Sequence, residues 1–395
     1  MTLTTGMVAM TATERVRFGE RAPEALRAEA EICDARRVVV IASTSLAETT
    51  HEIADIERAL GSRHAATFTG VAPHVPRHDV LAATEVAREA RADLIVSVGG
   101  GSVTDCAKIV PAMLKHDVRT VEAMDAYHIT VDAAGAMVLP RFESQDIRTI
   151  CIPTTLSGGE FNPLSGSTDP ATKHKQGYQE RMMAPVAVIL DPALTAHTPE
   201  WLWLSTGVRA LDHAVETLQS FQSNDFCDGL ARSALQLLVE GLPRTKANPE
   251  DLEARLKCQI GVWQSMLPII AGVPMGASHA IGHVLGGLCD VPHGYTSCVM
   301  SPFVLAWNAS VNATANADRQ APIRAIFGDP ETPAATQADR FISDLGMPRS
   351  LGAVGVGAER LPQIAEYTLQ DIWGKTNPRP VREAADVLEI LETAR

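Results

Sequence analysis

The sequence lacks the cysteine pattern of a disulfide-rich or thiolate-bound metal protein. Its seven cysteines are an odd number, lie far apart and include no CxxC pair. A disulfide framework and a thiolate zinc site are therefore not expected. The sequence predicts a protein of the reducing cytoplasm.

Long apolar runs and an excess of basic residues are missing as well. No run of about 18 apolar residues occurs, so no membrane span is expected, and the N-terminus has no signal-peptide pattern. Lys and Arg number 34 against 47 Asp and Glu, for a net charge of -13. This balance lacks the basic footprint of a nucleic-acid binder. We expect a small-molecule ligand, with neither membrane nor nucleic acid as partner.

The composition that is present belongs to an ordinary folded protein. The 395 residues are 46% hydrophobic and 21% charged, and at about 150 residues per domain this length predicts two domains. In the first half, short apolar runs alternate with helical patterns at Ile53–Leu60 and Val80–Ala90. The runs are Arg37–Ser43, Ala65–Phe68, Asp93–Val98, Thr149–Pro153 and Val186–Leu190. This alternation predicts an α/β domain with a mostly parallel sheet covered on both faces.

Beyond residue 192 the apolar strand-like runs disappear and long amphipathic patterns follow. They cover Thr206–Ser220, Asp225–Val239, Asp251–Met266, Ala335–Leu345, Arg360–Trp373 and Val381–Thr393. We therefore predict an α/β domain over 1–192 and an all-helical domain over 193–395. The stretch Lys115–Gln145 has no clear period and is expected to be a loop or a small excursion.

Two small-residue turns follow predicted strands of the first domain. Gly99-Gly100-Gly101-Ser102 opens a helix, where glycines and the helix N-terminus suit a phosphate; a plain tight turn capped by Ser102 is the alternative. Pro153-Thr-Thr-Leu-Ser-Gly-Gly-Glu160 follows another strand and is either a second ligand turn or only a polar loop. Both turns would lie at the carboxyl ends of their strands, so we expect them to converge on one ligand.

Histidines mark the second domain. His279 and His283 are four residues apart, so they share one face of a helix, and His293 follows in a Val-Pro-His-Gly segment. His213 lies within an amphipathic helical pattern. A lone histidine in a helix is usually a satisfied core or surface residue, but four in apolar contexts favour a site that binds a metal or moves protons.

Several motifs together resemble the iron-containing alcohol dehydrogenase family, which shares its fold with dehydroquinate synthase. They run in order through nearly the whole chain: Arg15-Val-Arg-Phe-Gly19, GGGSVTDCAK, PTTLSGGE, DPAL, GVRALDHAVE, SHAIGHVLGG and VPHG. The resemblance implies that the α/β domain binds a nicotinamide dinucleotide and that the helical domain supplies a metal site.

Within that family the chain is most similar to the maleylacetate reductases. The similarity is carried by Phe68-Thr-Gly-Val71 with His74-Val-Pro76, the compact Pro153–Glu160 turn, Gly346-Met-Pro-Arg-Ser-Leu351 and Asn377-Pro-Arg-Pro-Val381. It implies reduction of maleylacetate to 3-oxoadipate by NADH or NADPH in the degradation of aromatic rings, and assembly as a homodimer. The Lys115–Gln145 segment is longer than in this branch, so the substrate is open.

Arg209 departs from the metal-binding pattern of the family. Metal-binding members carry Asp at this position, whereas His213, His279 and His293 match the other three ligands. A guanidinium removes an anionic donor and repels a divalent cation, so a family-type iron or zinc site is not expected. Asp212 is not expected to replace that Asp, because it lies three residues further along the helix; a three-histidine zinc site stays open.

The resemblance also implies roles for individual residues. Without a metal, protonated His213, His279 and His293 would polarise the substrate carbonyl or donate a proton, with His283 close to the nicotinamide. Arg209 would bind a substrate carboxylate or else pair with an acid such as Asp212 or Glu216. The implied cofactor contacts are Gly99, Gly100, Gly101, Ser102, Asp105, Thr154, Thr155, Lys175 and Leu190.

The choice between NAD and NADP is weakly marked. Where relatives that prefer NAD place an Asp after the strand predicted at Arg37–Ile41, the sequence reads Ala42-Ser43-Thr44, so no carboxylate is there to repel a 2′-phosphate. We expect Thr44 to lie at the cofactor and both nucleotides to be accepted. Two other functions stay open: a metal-dependent alcohol dehydrogenase, and a non-redox member of the fold such as a lyase or a nucleotide sensor.

Overall fold

The computed structural model describes residues 7–132, 137–314 and 318–395, with the side chains of 312–314 left aside. The chain divides into two compact units. The first is Thr11–Thr198, and the second is Pro199–Arg395 together with residues 7–10. Within the described ranges, no helix combines the length and the apolar character needed to cross a bilayer.

The first unit contains all the strands of the described chain. In chain order they are β1 (Arg15–Phe18), β2 (Val38–Ala42), β3 (His64–Phe68), β4 (Leu94–Gly99), β5 (Thr130–Val131), β6 (Met137–Val138), β7 (Arg148–Pro153), β8 (Leu164–Thr168), β9 (Lys175–Gln179) and β10 (Ala187–Leu190). Six of them form one parallel sheet in the order β1-β10-β7-β4-β2-β3. The predicted fold class is confirmed, and all five predicted strands form within one residue of their expected starts.

Helices cover both faces of this sheet. They are α1 (Ala22–Ile32), α2 (Thr44–Thr49), α3 (Glu52–Leu60), α4 (Arg77–Glu89), α5 (Gly101–Lys115) and α6 (Pro192–Thr195). Successive residues of β2 point to opposite faces. Val38 and Val40 join the core formed with α1 and α3, whereas Val39 and Ile41 join the core formed with α4 and α5. A strand buried on both sides explains the unbroken apolar run in the sequence.

Three strands of the first unit were not predicted, because none of them is a continuous apolar run. In β1, Arg15 and Arg17 alternate with apolar residues, and both guanidinium groups bind the buried carboxylate of Glu29 at 2.8 and 2.7 Å. The polar strands β8 and β9 form an antiparallel hairpin. The Lys115–Gln145 segment is a small excursion, as expected. A 3₁₀ turn at Glu122–Tyr127 precedes the short antiparallel pair of β5 and β6. Residues 133–136, between these two strands, lie outside the described ranges.

The second unit is helical in its described residues. Its helices are α7 (Glu200–Gln219), α8 (Asp225–Ala247), α9 (Leu252–Ile270), α10 (Ala277–Cys289), α11 (His293–Thr314), α12 (Ala321–Phe327), α13 (Ala334–Asp344), α14 (Leu361–Thr368) and α15 (Ala384–Thr393). The helix expected over Arg360–Trp373 ends at Thr368. The side chain of Asp371 accepts the backbone N–H of Trp373 at 2.9 Å, a local bond that competes with helix continuation.

Candidate active site: two strand-end turns and a histidine cluster

The two predicted turns meet in the first unit. Strands β4 and β7 are neighbours in register, with Gly99 opposite Pro153, and the N–H of Thr154 donates to the carbonyl of Gly99 at 3.0 Å. A Cβ added at Gly100 would lie 3.1 Å from Cγ2 of Thr155. Gly100 thus permits a close approach that a side chain would hinder.

Helix α5 begins at this junction with an open N-terminus. Gly100 is its N-cap residue, and no described side chain caps the first turn. The leading N–H groups and the positive end of the helix dipole are therefore available to an anion. Gly158 has φ +80° in the facing loop, a conformation that glycine adopts without strain. Because Ser102 does not cap the helix, this arrangement favours a phosphate site over the alternative of a plain tight turn capped by Ser102.

Lys108 holds the second turn in place, a role the sequence did not reveal. Its side chain is fully buried, and Nζ donates to the carbonyls of Gly159 at 2.6 Å, Asn162 at 3.0 Å and Leu164 at 2.6 Å. Burial lowers the pKa of Lys108, yet three carbonyl acceptors match the three N–H groups of an ammonium. Lys108 therefore fixes the loop after β7 onto α5.

Lys175 and Asp105 extend the same region. Nζ of Lys175 donates to Oδ2 of Asp105 at 3.2 Å, so two residues implied as cofactor contacts are neighbours. A Cβ at Gly166 would clash with Cε of Lys175. Gly166, on the neighbouring strand of the β8–β9 hairpin, thereby makes room for the lysine.

The remaining implied cofactor residues are more scattered. Thr44 is the first residue of α2, beyond the end of β2, and its hydroxyl donates to the carbonyl of Thr69. The neighbouring Ser43 lies beside Gly99, with its Cβ 3.3 Å from a Cβ built there. Leu190 is the buried last residue of β10. The roles of Thr44 and Leu190 stay predictions.

In the second unit the four predicted histidines form one cluster, which we call the histidine cluster: His213, His279, His283 and His293. The rings of His213 and His279 stack at 4.8 Å between centroids, and those of His283 and His293 lie parallel at 6.2 Å. The ring of Trp373 contacts His279 at 6.0 Å and His283 at 4.7 Å. Trp373 therefore joins the two histidine pairs.

Burial separates the two pairs. His213 is 5% and His279 1% exposed, whereas the side chain of His283 is 37% exposed. Desolvation, with the charge of Arg209 and the neighbouring histidine, holds the pKa of both buried rings well below 6.5. A lowered pKa favours the neutral ring and disfavours His213 and His279 as acids, and their catalytic roles stay predictions.

Glu216 fixes the orientation of His279. One carboxylate oxygen, Oε2, accepts the N–H of Gly276 and Nδ1–H of His279, both at 2.8 Å, and Oε1 accepts the N–H of Ser278 at 2.9 Å. Burial raises the pKa of Glu216 to about 7, although these N–H groups and Arg209 lower it. When Glu216 is ionised, it can only accept from Nδ1–H, and the buried Nε2 of neutral His279 then carries the lone pair.

Arg209 lies in the same buried region on α7. It is 6% exposed, and its Nη1 has no hydrogen-bond partner among the described residues. Burial lowers the pKa of Arg209 to about 10, against the favourable charges of Asp212 and Glu216. The guanidinium therefore stays protonated at neutral pH. The charges of Asp212 and Glu216 act on Arg209, but its Nη1 makes no hydrogen bond to either carboxylate, so both readings of Arg209, substrate contact or partner of an acid, stay predictions.

The chain is similar to known dehydrogenases and reductases along its whole length. The dehydrogenase ALT3 of Alternaria alternata is 33% identical over 91% of this chain and 99% of its own. The maleylacetate reductase of Rhizobium sp. (strain MTP-10005) is 31% identical over 95% and 94%. The crystal structure of maleylacetate reductase from Agrobacterium tumefaciens superimposes with a TM-score of 0.82 at 26% identity, covering 99% and 98% of the two chains.

Family models agree with these similarities. Residues 13–192 match the model described as iron-containing alcohol dehydrogenase, and residues 203–395 match the model of the C-terminal part of that family. The chain therefore belongs to the iron-containing alcohol dehydrogenase family, a family of oxidoreductases.

The family implies iron, and the helical unit holds both a possible ligand group and a charge that opposes a cation. Among the described residues, the group with three potential ligand atoms within 4.8 Å of one another is Asp212, Glu216 and His279, rather than the three histidines matched by resemblance. Oδ2 of Asp212 accepts Oγ–H of Ser278 at 2.6 Å and Nδ1 of His279 is bonded to Glu216, whereas Oδ1 of Asp212 and Nε2 of His279 have no hydrogen-bond partner in the described part of the chain. Against a cation, Arg209 adds a positive charge beside these carboxylates. We derive no step through a metal.

The first unit has features that suit a dinucleotide. The open N-terminus of α5 and the cradle at Gly100, which a Cβ would narrow, suit a pyrophosphate. The first unit thus holds a backbone-lined anion site, and the second unit, taken by itself, holds a side-chain cluster with a buried cation.

Proposed function

We propose that the protein is an NAD(P)H-dependent reductase of a carboxylate-bearing oxo or enone compound, of the maleylacetate type, and that it works without a metal. The observation that carries the proposal is Arg209, a buried guanidinium with an unpartnered Nη1 beside the histidine cluster. A buried guanidinium N–H group without an acceptor is costly, even beside the charges of Asp212 and Glu216, unless a ligand atom accepts from it. A substrate carboxylate matches its planar donors.

The maleylacetate reductase relatives support this substrate class. The resemblance of the GVRALDHAVE motif also places Arg209 where metal-binding members of the family carry Asp. The name of the similar fungal dehydrogenase does not state a substrate. We therefore propose the class of substrate, an oxo-enedioate or a close analogue, with maleylacetate as the first compound to test.

The nicotinamide, when bound, supplies a hydride, and the residues of this chain bind, orient and manage protons. The N–H groups at the start of α5 would hold the pyrophosphate, with Lys108 keeping the facing loop in position. Arg209 would bind one carboxylate of the substrate. His279, donating through Nδ1 to Glu216, accepts rather than donates at Nε2.

Proton delivery in this proposal falls to the more exposed pair of the histidine cluster. Reduction of an enone requires one hydride at carbon and one proton, and the buried His213 and His279 are neutral. His283 and His293 remain as candidates, and His283 reaches solvent with about a third of its side chain.

The deciding experiment measures oxidation of NADH and of NADPH with maleylacetate, beside metal analysis of the purified protein. We expect turnover that survives treatment with a chelator, with no stoichiometric metal. A matched control substrate is a simple aldehyde without a carboxylate, which should react at least about 100-fold more slowly if a charge-assisted pair contributes about 3 kcal/mol.

A second candidate is the metal-dependent alcohol dehydrogenase, favoured by the compact ligand group of Asp212, Glu216 and His279. It predicts stoichiometric iron or zinc and chelator-sensitive turnover of simple alcohols or aldehydes. A protein that binds the nucleotide but oxidises neither cofactor with any enone or aldehyde would instead be a non-redox member of the fold.

A further inference from the structure

His283 is held on three sides by other residues of the helical unit. Its Nδ1 lies 2.8 Å from Oδ2 of Asp371. One ring face packs on Trp373 at 4.7 Å between centroids, and His293 lies parallel at 6.2 Å. With 37% of the side chain exposed, this is a histidine whose orientation is constrained while part of its ring stays accessible.

Asp371 is itself fixed. Its second oxygen, Oδ1, accepts the backbone N–H of Trp373 at 2.9 Å, and its side chain is 17% exposed. The two carboxylate oxygens thus bind the histidine ring edge and the backbone that carries the packing tryptophan. One residue links the orientation of His283 to the position of Trp373.

A carboxylate acceptor determines which ring nitrogen carries the proton. Nδ1 must donate to Asp371, so neutral His283 carries its hydrogen on Nδ1 and has its lone pair on Nε2. Protonated His283 would then release its proton from Nε2, because Nδ1–H is retained by the carboxylate. The arrangement has the form of a base oriented by a third group.

We propose that Asp371 is a positioning residue that holds His283 in the tautomer and orientation in which Nε2 delivers the proton of the reduction. This inference rests on the proposed function and names the residue pair that completes it. The contribution comes through His283, since Asp371 bonds to the ring nitrogen opposite the reacting one.

For an enone substrate, the proposed reduction consists of a hydride transfer and a proton transfer. A hydride with its electron pair adds to one alkene carbon while the π pair moves to the carbonyl as an enolate. The neighbouring carbon then takes the proton from Nε2 of His283, leaving a neutral imidazole that solvent reprotonates. Bound NADH or NADPH would supply the hydride and so lose two electrons, which the carbon–carbon double bond of the substrate would gain.

A purely structural role is the competing explanation, because Asp371 also ties the segment after α14 to α10. The variant Asp371→Asn separates the two, since the amide keeps the size and can accept from Trp373. The same amide can rotate to offer N–H to Nδ1, which permits the other tautomer of His283. Asp371→Glu keeps the charge and serves as the conservative variant.

The first readout needs no substrate. ¹⁵N NMR of histidine-labelled protein, with the His283 signals assigned by their loss in His283→Gln, should report hydrogen on Nδ1 in the wild type. Asp371→Asn should shift the population toward hydrogen on Nε2, with an unchanged free energy of unfolding. An unchanged His283 spectrum in this variant would overturn the proposal even if no substrate had been found.

The second readout is kinetic. Asp371→Asn should lower kcat about 100-fold with little change in KM, in the range expected for an impaired proton transfer, and should raise the solvent deuterium isotope effect; Asp371→Glu should recover part of kcat. Equal losses of kcat and stability with unchanged isotope effects would mean a structural role.

The matched control is Glu52→Gln, which removes a carboxylate from His197 in the other unit, where the two atoms lie 3.2 Å apart. It should leave kcat and the isotope effect unchanged. Inactivity of the wild type toward maleylacetate would contradict the proposed function alone, because the NMR arm judges Asp371 independently.

Discussion

The two units present their candidate sites in different ways. In the α/β unit the ligand-facing atoms are backbone N–H groups at the end of β4 and the start of α5, reached because Gly100 has no side chain. In the helical unit they are side chains, namely the histidine cluster and Arg209. Residue changes in a backbone site are restricted by space, whereas residue changes in a side-chain site alter the chemistry directly.

This difference explains where the chain departs from its family. The turns after β4 and β7 match the family motifs, and any nucleotide with a pyrophosphate meets the same N–H groups. In the helical unit, the resemblance places Arg209 where metal-binding members carry Asp, which would reverse the charge offered to a ligand. Reaction specificity in this protein should therefore depend on the helical unit and cofactor affinity on the α/β unit.

The strongest test of that division is Arg209→Met, which keeps much of the length but removes the charge. We expect kcat/KM for a dicarboxylic substrate to fall about 100-fold, since a charge-assisted pair contributes about 2–3 kcal/mol. The dissociation constant for NADH, measured by calorimetry, should stay within about twofold. An equal loss of activity toward a substrate without a carboxylate would contradict the assignment of Arg209.

The next prediction concerns the carboxylate of Glu216, which binds the N–H groups at the start of α10 and the ring of His279. Glu216→Gln places an amide NH₂ near the N–H groups of Gly276, Ser278 or His279, so at least one loses its acceptor. We expect the free energy of unfolding to fall by about 2–3 kcal/mol. Urea denaturation near pH 5 measures it, because a carboxyl whose pKa is raised to about 7 loses its stabilising contribution as the pH rises through 7. At about pH 8 the removal of a buried charge in Glu216→Gln would offset the loss of hydrogen bonds. The exposed Glu253→Gln should change it by less than about 0.5 kcal/mol.

Gly100→Ala tests the backbone site of the α/β unit. The added Cβ would lie 3.1 Å from Cγ2 of Thr155, so the facing turn must shift by a few tenths of an ångström. We expect the affinity for NADH or NADPH to fall about tenfold, which is about 1.4 kcal/mol, with little loss of stability. Gly287→Ala is the matched control, because a Cβ there meets no atom within 4 Å. Unchanged nucleotide affinity in Gly100→Ala would place the cofactor elsewhere.

Local sequence patterns predict much of this architecture. The β-branched run at Val38–Ala42 and the glycines at the end of β4 identify the sheet and the first turn, and the spacing of His279 and His283 identifies their shared helix. These features depend on neighbours a few residues apart. Strand β1 was not predicted, because it contains two arginines that form hydrogen bonds with the carboxylate of Glu29, and no local sequence pattern reveals this pairing.

The missed site residues all act across long sequence separations. Asp371 lies 88 residues from His283, Glu216 63 residues from His279, and Lys108 51 residues from Gly159. Such pairs form only when helices and loops pack, so periodicity carries no signal for them. Burial also determines that His213 and His279 are neutral, which their spacing cannot indicate. The homodimer and the choice between NAD and NADP stay predictions.

Glu160, in the loop that Lys108 holds, gives the smallest effect and tests the α/β unit through pH. Burial raises its pKa to about 7 from an ordinary value of 4.5, with Lys108 lowering it and Asp105 raising it. The folded chain therefore holds this proton more tightly than the unfolded chain. The resulting stabilisation is complete below about pH 4.5 and is lost as the pH rises through 7.

Glu160→Gln keeps the neutral form at every pH and should lack this loss. Between about pH 6 and pH 7 the free energy of unfolding of the wild type should fall relative to the variant by about 1 kcal/mol. Glu216 titrates in the same range in both proteins, so the difference between them isolates Glu160. The exposed Glu359→Gln should run parallel to the wild type. Parallel curves for Glu160→Gln as well would mean that Glu160 is already ionised in the folded chain, as a full ion pair with Lys108 would require.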